Sequence, residues 1–197
     1  MLVKVGKKHI ILFAMEKKKP FNTKTIALVG MLTAIEIVLQ LLSYIIPSAV
    51  NINLSLIPIA IGAIIGGPTV GAFLGFASGV IVLVSPNTVT LFMAMSPVGT
   101  IITCLTKTTI AGLVAGFIAK ALKKHDIVGS ILASFVVPVI NTGMFIIFAL
   151  LFFSEWIGGA IAALLGINFL FEVVSTMLIG PTLYKILAKA IPNKNLD

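Results

Sequence analysis

Residues 97–122 read PVGTIITCLTKTTIAGLVAGFIAKAL, and between Pro97 and Lys120 the only charge is Lys107, near the middle. At ~1.5 Å rise per residue, a helix here sets Lys107 roughly 15 Å from Pro97 and roughly 20 Å from Lys120. Neither end of an apolar span is then within easy reach of the side chain, so the ammonium is expected to face protein, water or a bound molecule. A lysine at the centre of a membrane helix costs about 2.5–3.5 kcal/mol on insertion scales, which makes Lys107 a candidate functional residue. Thr100, Thr103, Cys104 and Thr108 fall near the lysine side of the same helix, so one face is expected to be polar.

Composition extends that reading to the whole chain. Its 197 residues are 59% hydrophobic and 10% charged, with a mean hydropathy of +1.18. Soluble domains carry about 25% charge, so the natural solvent is the lipid bilayer, and a single domain is expected. Cys104 is the only cysteine, which removes any intrachain disulfide. The net charge of +8 is all lysine on the basic side, without the arginine forks that read phosphate and guanine, and no nucleic-acid partner is expected.

The placement of the lysines accounts for the charge. Lys4, Lys7, Lys8, Lys17, Lys18, Lys19 and Lys24 precede the first apolar run, Lys120, Lys123 and Lys124 share one loop, and Lys185, Lys189 and Lys194 lie near the C-terminus. The connections 43–53, 85–95 and 154–159 contain none. The positive-inside rule puts the lysine-rich segments in the cytoplasm and the other loops outside. The expected architecture is an all-α integral membrane protein of the cell membrane, with six transmembrane helices in a compact bundle and both termini inside. A basic tail (1–24) and a short C-terminal tail (192–197) flank the bundle (25–191).

Along the chain, residues 10–15 are too short for a signal-peptide core, and no small-residue cleavage site follows before the triple lysine. Residues 25–46 form the first expected span, ended by Pro47. Gly30 and Ala34, with Ala27 on the same side, have the small-xxx-small spacing that lets another helix approach, whether from a partner or from within the bundle. Thr33, Glu36, Gln40 and Ser43 share another side, and Glu36 is expected to face the interior or a partner. Residues 54–65 make only ~18 Å of helix against a ~30 Å hydrocarbon core, and Gly66-Gly67-Pro68 follows at once. Two short crossings or a re-entrant hairpin fit; two crossings are preferred, with Ile52 and Asn53 extending the first. Gly71, Gly75 and Gly79 then give the next helix a flat strip.

Residues 85–96 (SPNTVTLFMAMS) are expected to be an outward loop in which Asn87 and hydroxyls sit beside Phe92, Met93 and Met95. That mixture suits a ligand lid or an ordinary exposed connection. In the span 127–153, Pro138 predicts a kink, and Asn141 is placed to serve a ligand or to bridge helices. Trp156 suits a membrane interface. In the last span, Asn168, Glu172, Ser175 and Thr176 form a polar stripe. Lys107, Asn141, Asn168 and Glu172 thus come from three consecutive spans and are expected to converge near the outer side. Glu36, Glu172 and a ligand carboxylate all compete to pair with Lys107.

Several chemistries are excluded. There is no G-x-x-x-x-G-K-[ST] run for ATP, and the two histidines, His9 and His125, lie in basic stretches outside the spans. This leaves no membrane-embedded Ser–His pair and no histidine-rich metal site, so neither catalysis, nor a metal, nor a cofactor is expected. The residues alone leave room for a self-sufficient carrier coupled to protons through Glu36 or Glu172. They also leave room for an assembly subunit with a structural Lys107–Glu172 pair.

Six short spans, the basic 4–5 loop, the small-residue first helix and the run Ile57-Pro58-Ile59-Ala60-Ile61-Gly62 through Gly66-Gly67-Pro68 to Gly71, Gly75 and Gly79 resemble the substrate-binding S components of energy-coupling factor (ECF) vitamin transporters. The resemblance covers about 25–190. It implies a high-affinity substrate-capture subunit that takes a vitamin from outside and relies on a transmembrane coupling subunit and two cytoplasmic ATPases. It also implies that Ala27, Gly30 and Ala34 dock the coupling subunit, Gly30 and Ala34 standing where the family has an alanine-x-x-x-alanine motif. The ligand-binding elements it implies are the 51–53 and 87–95 loops, with Asn53 and Asn87, and the helices bearing Lys107, Thr103, Asn141, Asn168 and Glu172. A buried lysine among amides and hydroxyls suits a small flexible monocarboxylate, and the chain is most similar to the pantothenate type; folate, riboflavin and hydroxymethylpyrimidine are the other candidates.

Overall fold

The structure, a computed structural model, describes residues 23–45, 53–153 and 159–190. Residues 1–22 of the expected basic tail, the C-terminal tail, Pro47, Ile52 and Trp156 lie outside them, while Thr23 and Lys24 of that tail begin the first helix. Five helices in the described residues are long and apolar enough to cross a membrane. They are α1 (Thr23–Ile45), α2 (Leu56–Leu83), α3 (Pro97–Ala121), α4 (Asp126–Phe152) and α5 (Gly159–Ala190). Their outer surface is apolar, with Val38, Leu151 and Leu178 among many large side chains left exposed, as a lipid-facing bundle requires. The protein is a multi-pass, all-α integral membrane protein.

The second helix is broken where its sequence is richest in glycine. Gly67 has φ 74° and ψ −166°, a conformation essentially reserved for glycine, and Pro68 follows it. Across this break Ser55 Oγ lies 2.7 Å from Ser78 Oγ, and a Cβ added to Gly71 would lie 2.8 Å from that of Ala63. Residue 55 thus pairs with 78 and 63 with 71, so the arms 56–66 and 68–83 run antiparallel and the five helices contain six helical segments. Asn53 does not lengthen the first arm as expected. It is non-helical and starts a turn in which its carbonyl accepts from Leu56 N at 3.4 Å and its Oδ1 accepts from Ser55 Oγ at 2.5 Å. Gly67→Ala is expected to destabilise the protein by about 1–3 kcal/mol, because any Cβ strains this backbone; thermal unfolding in detergent measures it.

Helix α2 is the hub, packing on all four other long helices and most extensively on α3. A Cβ at Gly71, Gly75 or Gly79 would enter within 3.0 Å of backbone atoms of Gly112, Thr108 or Cys104, and one at Gly116 would meet Pro68 and Gly67. The registers fall in constant steps of four, so α3 runs antiparallel to the arm 68–83 in backbone contact. Leu28, Leu32, Leu56, Ile59, Leu74 and Val137 fill the core around this seam. Helix α4 continues through buried Pro138.

The expected loop 85–96 is mostly helical. Residues 86–95 form helix with a π-helical stretch at Thr88–Met93. Ser85 Oγ accepts from Thr88 N at 3.3 Å and lies 2.8 Å from Thr88 Oγ1, and Pro86 sits in the first turn, where its missing N–H is harmless. This short helix lies at the end of the bundle where α2 and α3 begin and α4 ends. The basic 3-10 turn Lys123–His125 lies at the opposite end, beside the Gly67 break.

Candidate functional site

Helix α5 places Glu172 inside the bundle, 6% exposed, where donors from two other elements reach it. Oε1 accepts from the backbone N–H of Asn53 at 3.4 Å, Oε2 accepts from Thr142 Oγ1 at 3.3 Å, and the Asn141 amide lies beside the carboxylate. One carboxylate therefore joins the start of α2, the middle of α4 and α5. Asn53 in turn meets Ser55, which meets Ser78, carrying the polar chain across to the second arm of α2.

Lys107 lies on the neighbouring helix α3, half-buried, with Nζ 5.2 Å from the centroid of the Phe145 ring. It is close enough to Glu172 for charge–charge interaction, yet among the described residues no ion pair joins them. Phe145 stands one turn beyond Asn141 on α4. Its ring meets Phe92 edge-on at 5.9 Å, and Phe92 meets Phe153 at 5.3 Å. The short helix after α2 thus lays an aromatic side chain over the ring that holds the lysine, a cation–π contact typically worth about 0.5–2 kcal/mol. Phe92 was expected only within a candidate ligand lid and Phe145 was not among the expected site residues; the signal for Phe145 was its four-residue step from Asn141.

Among the described residues the arrangement offers one cation, one carboxylate held by two donors, and two unfilled acceptors. Asn141 Oδ1 and Asn168 Oδ1 are buried and have no hydrogen-bond partner among the described residues. Such a set can bind a small polar anion; it contains no nucleophile paired with a base. The family model for the substrate-specific component of ECF transporters matches residues 24–191. The chain belongs to this family. A comparison with curated proteins finds no match. S components are non-catalytic transport subunits for small molecules, and membership implies coupling and ATPase partner subunits and a vitamin ligand.

In this S component, four of the expected ligand residues, Lys107, Asn141, Glu172 and Asn53, gather in one cluster. Asn168 lies one helical turn before Glu172 on α5. Thr103 is buried but donates to Gly99 O at 2.6 Å, and Thr100 and Thr108 likewise donate to carbonyls of their own helix at 2.7 and 3.1 Å. The expected polar face of α3 therefore directs its hydroxyl protons inward, as a helix in lipid favours. Asn87 is exposed at the start of the short helix. Ser175 and Thr176 donate to the carbonyl of Glu172. On α1, Ala27, Gly30 and Ala34 are exposed, and a Cβ on Gly30 would meet nothing within 4 Å, so these small residues do not serve internal packing. Glu36, on the inward side of α1, is fully buried and neither carboxyl oxygen has a hydrogen-bond partner.

Proposed function

We propose that this S component captures a small carboxylate vitamin, pantothenate in the first reading, and delivers it for ATP-driven import by a transmembrane coupling subunit and two cytoplasmic ATPases. The observation that carries the reading is the Lys107 ammonium, held by an aromatic ring beside a buried polar cluster and without an ion-pair partner among the described residues. A ligand carboxylate supplies the missing charge. Hydroxyl and amide groups of the ligand suit Asn141 and Asn168, with Glu172 and Asn53 at their base and Thr103 and Asn87 lining the approach. The basic turn at the opposite end supports six crossings with both termini inside, which puts the cluster in the outer half. The exposed strip Ala27, Gly30, Ala34 supports docking of the coupling subunit along α1.

The aromatic cluster Phe92, Phe145 and Phe153 favours a second reading, in which the ligand carries a flat ring, as folate, riboflavin or hydroxymethylpyrimidine does. Because the family draws its energy from partner subunits, the proton-coupled carrier is not carried forward. Native mass spectrometry of the protein extracted gently from its own membrane tests both readings. Retained pantothenate is expected; a retained flat-ring vitamin replaces the first reading with the second, and a ligand without a carboxylate removes the role given to Lys107.

A further inference from the structure

Asn141 is 4% exposed, and its amide lies beside the Glu172 carboxylate, which can only accept. An amide beside a carboxylate turns its Nδ2–H toward it, so the other end of the side chain is the carbonyl oxygen, Oδ1, and this atom is buried with no donor among the described residues. Asn168, one turn before Glu172 on α5, has its Oδ1 in the same condition. The hydroxyls nearest in sequence already give their protons elsewhere: Thr142 to Glu172 Oε2, and Ser175 and Thr176 to Glu172 O. Buried acceptors without donors are rare in folded proteins, and a site built around them rejects ligands that bring no donor.

We infer that Asn141 and Asn168 set specificity by accepting, so that the ligand is a monocarboxylate carrying at least two hydroxyl or amide N–H donors that it directs at these two oxygens. This rests on the reading that the cluster around Lys107 is the ligand site. Glu172 acts as a positioning residue: by claiming the Asn141 N–H it fixes which end of that amide meets the ligand. The vitamin is thus recognised at one end by its charge and along its length by its protons. A simple fatty carboxylate of equal length satisfies Lys107 and leaves both acceptors empty.

The test is calorimetric titration of the full chain in detergent with pantothenate and with its analogue lacking both hydroxyls, which keeps the carboxylate and the amide. The analogue is expected to bind about 100-fold more weakly or worse. Equal affinities overturn the inference. The same pair of ligands on Lys107→Ala separates it from the reading beneath. If Lys107→Ala abolishes binding while wild type accepts both ligands equally, the anion site stands and the donor rule falls. If pantothenate binds Lys107→Ala as tightly as wild type, the site itself is misplaced and both fall. If pantothenate does not bind wild type at all, the choice of vitamin fails and the inference fails with it.

Discussion

Purified Lys107→Ala is expected to lose ligand affinity by roughly two to three orders of magnitude while remaining folded. Truncating one partner of a buried, hydrogen-bonded charge pair typically costs about 3–5 kcal/mol, because the other charge is left unpaired, and every ~1.4 kcal/mol is tenfold in affinity. The fold should tolerate the change. Removing the ammonium forfeits a cation–π contact with Phe145 of about 0.5–2 kcal/mol, but it also lifts an insertion cost of about 2.5–3.5 kcal/mol. Calorimetry with pantothenate should therefore show lost binding beside an unfolding temperature at or above that of wild type. Retained affinity excludes the carboxylate-binding role, and collapse of the fold shows that Lys107 is structural.

Gly75→Ala is expected to lower both stability and ligand affinity. The added Cβ would press on the backbone of Thr108 and Thr109, and backbone cannot swing aside as a flexible side chain can. Overpacking of a tight interface costs about 1–3 kcal/mol, and here relief requires α2 and α3 to separate. The seam also sets the site, since Thr108 adjoins Lys107 and Ser78 lies three residues beyond Gly75. Helix separation should thus lower both the unfolding temperature and ligand affinity, whereas Gly30→Ala, whose Cβ meets open space, should change neither in the isolated protein. If Gly75→Ala unfolds at the wild-type temperature, the seam is looser than the backbone contacts imply.

Those two glycines show how far local pattern goes. Gly30-x-x-x-Ala34 and the ladder Gly71, Gly75, Gly79 obey the same spacing rule, and from sequence each permits close approach of a helix. In the folded chain the ladder is filled by α3 and the α1 strip is left open, a difference that depends on which helix the chain returns to that place. The loop after α2 was misread for a related reason. Its Ser, Pro and Asn suggested an irregular connection, but Ser85 and Pro86 instead start a short helix that brings Phe92 onto Phe145. Asn141 suits a ligand or a helix bridge from its sequence position; in the folded chain it lies beside Glu172 and its carbonyl has no donor among the described residues.

By itself the sequence determined the bilayer as solvent, the helical class, the break at Gly66-Gly67-Pro68 and the oddity of Lys107, because these follow from hydropathy, glycine and proline chemistry and the cost of charge in lipid. Only the tertiary structure decided that Glu172 is held by Asn53 and Thr142 beside Asn141, that among the described residues an aromatic ring rather than an acid holds Lys107, and which small-residue strip is covered. Those outcomes turn on contacts between residues as far apart as 53 and 172, and no local periodicity encodes the distance between two such atoms.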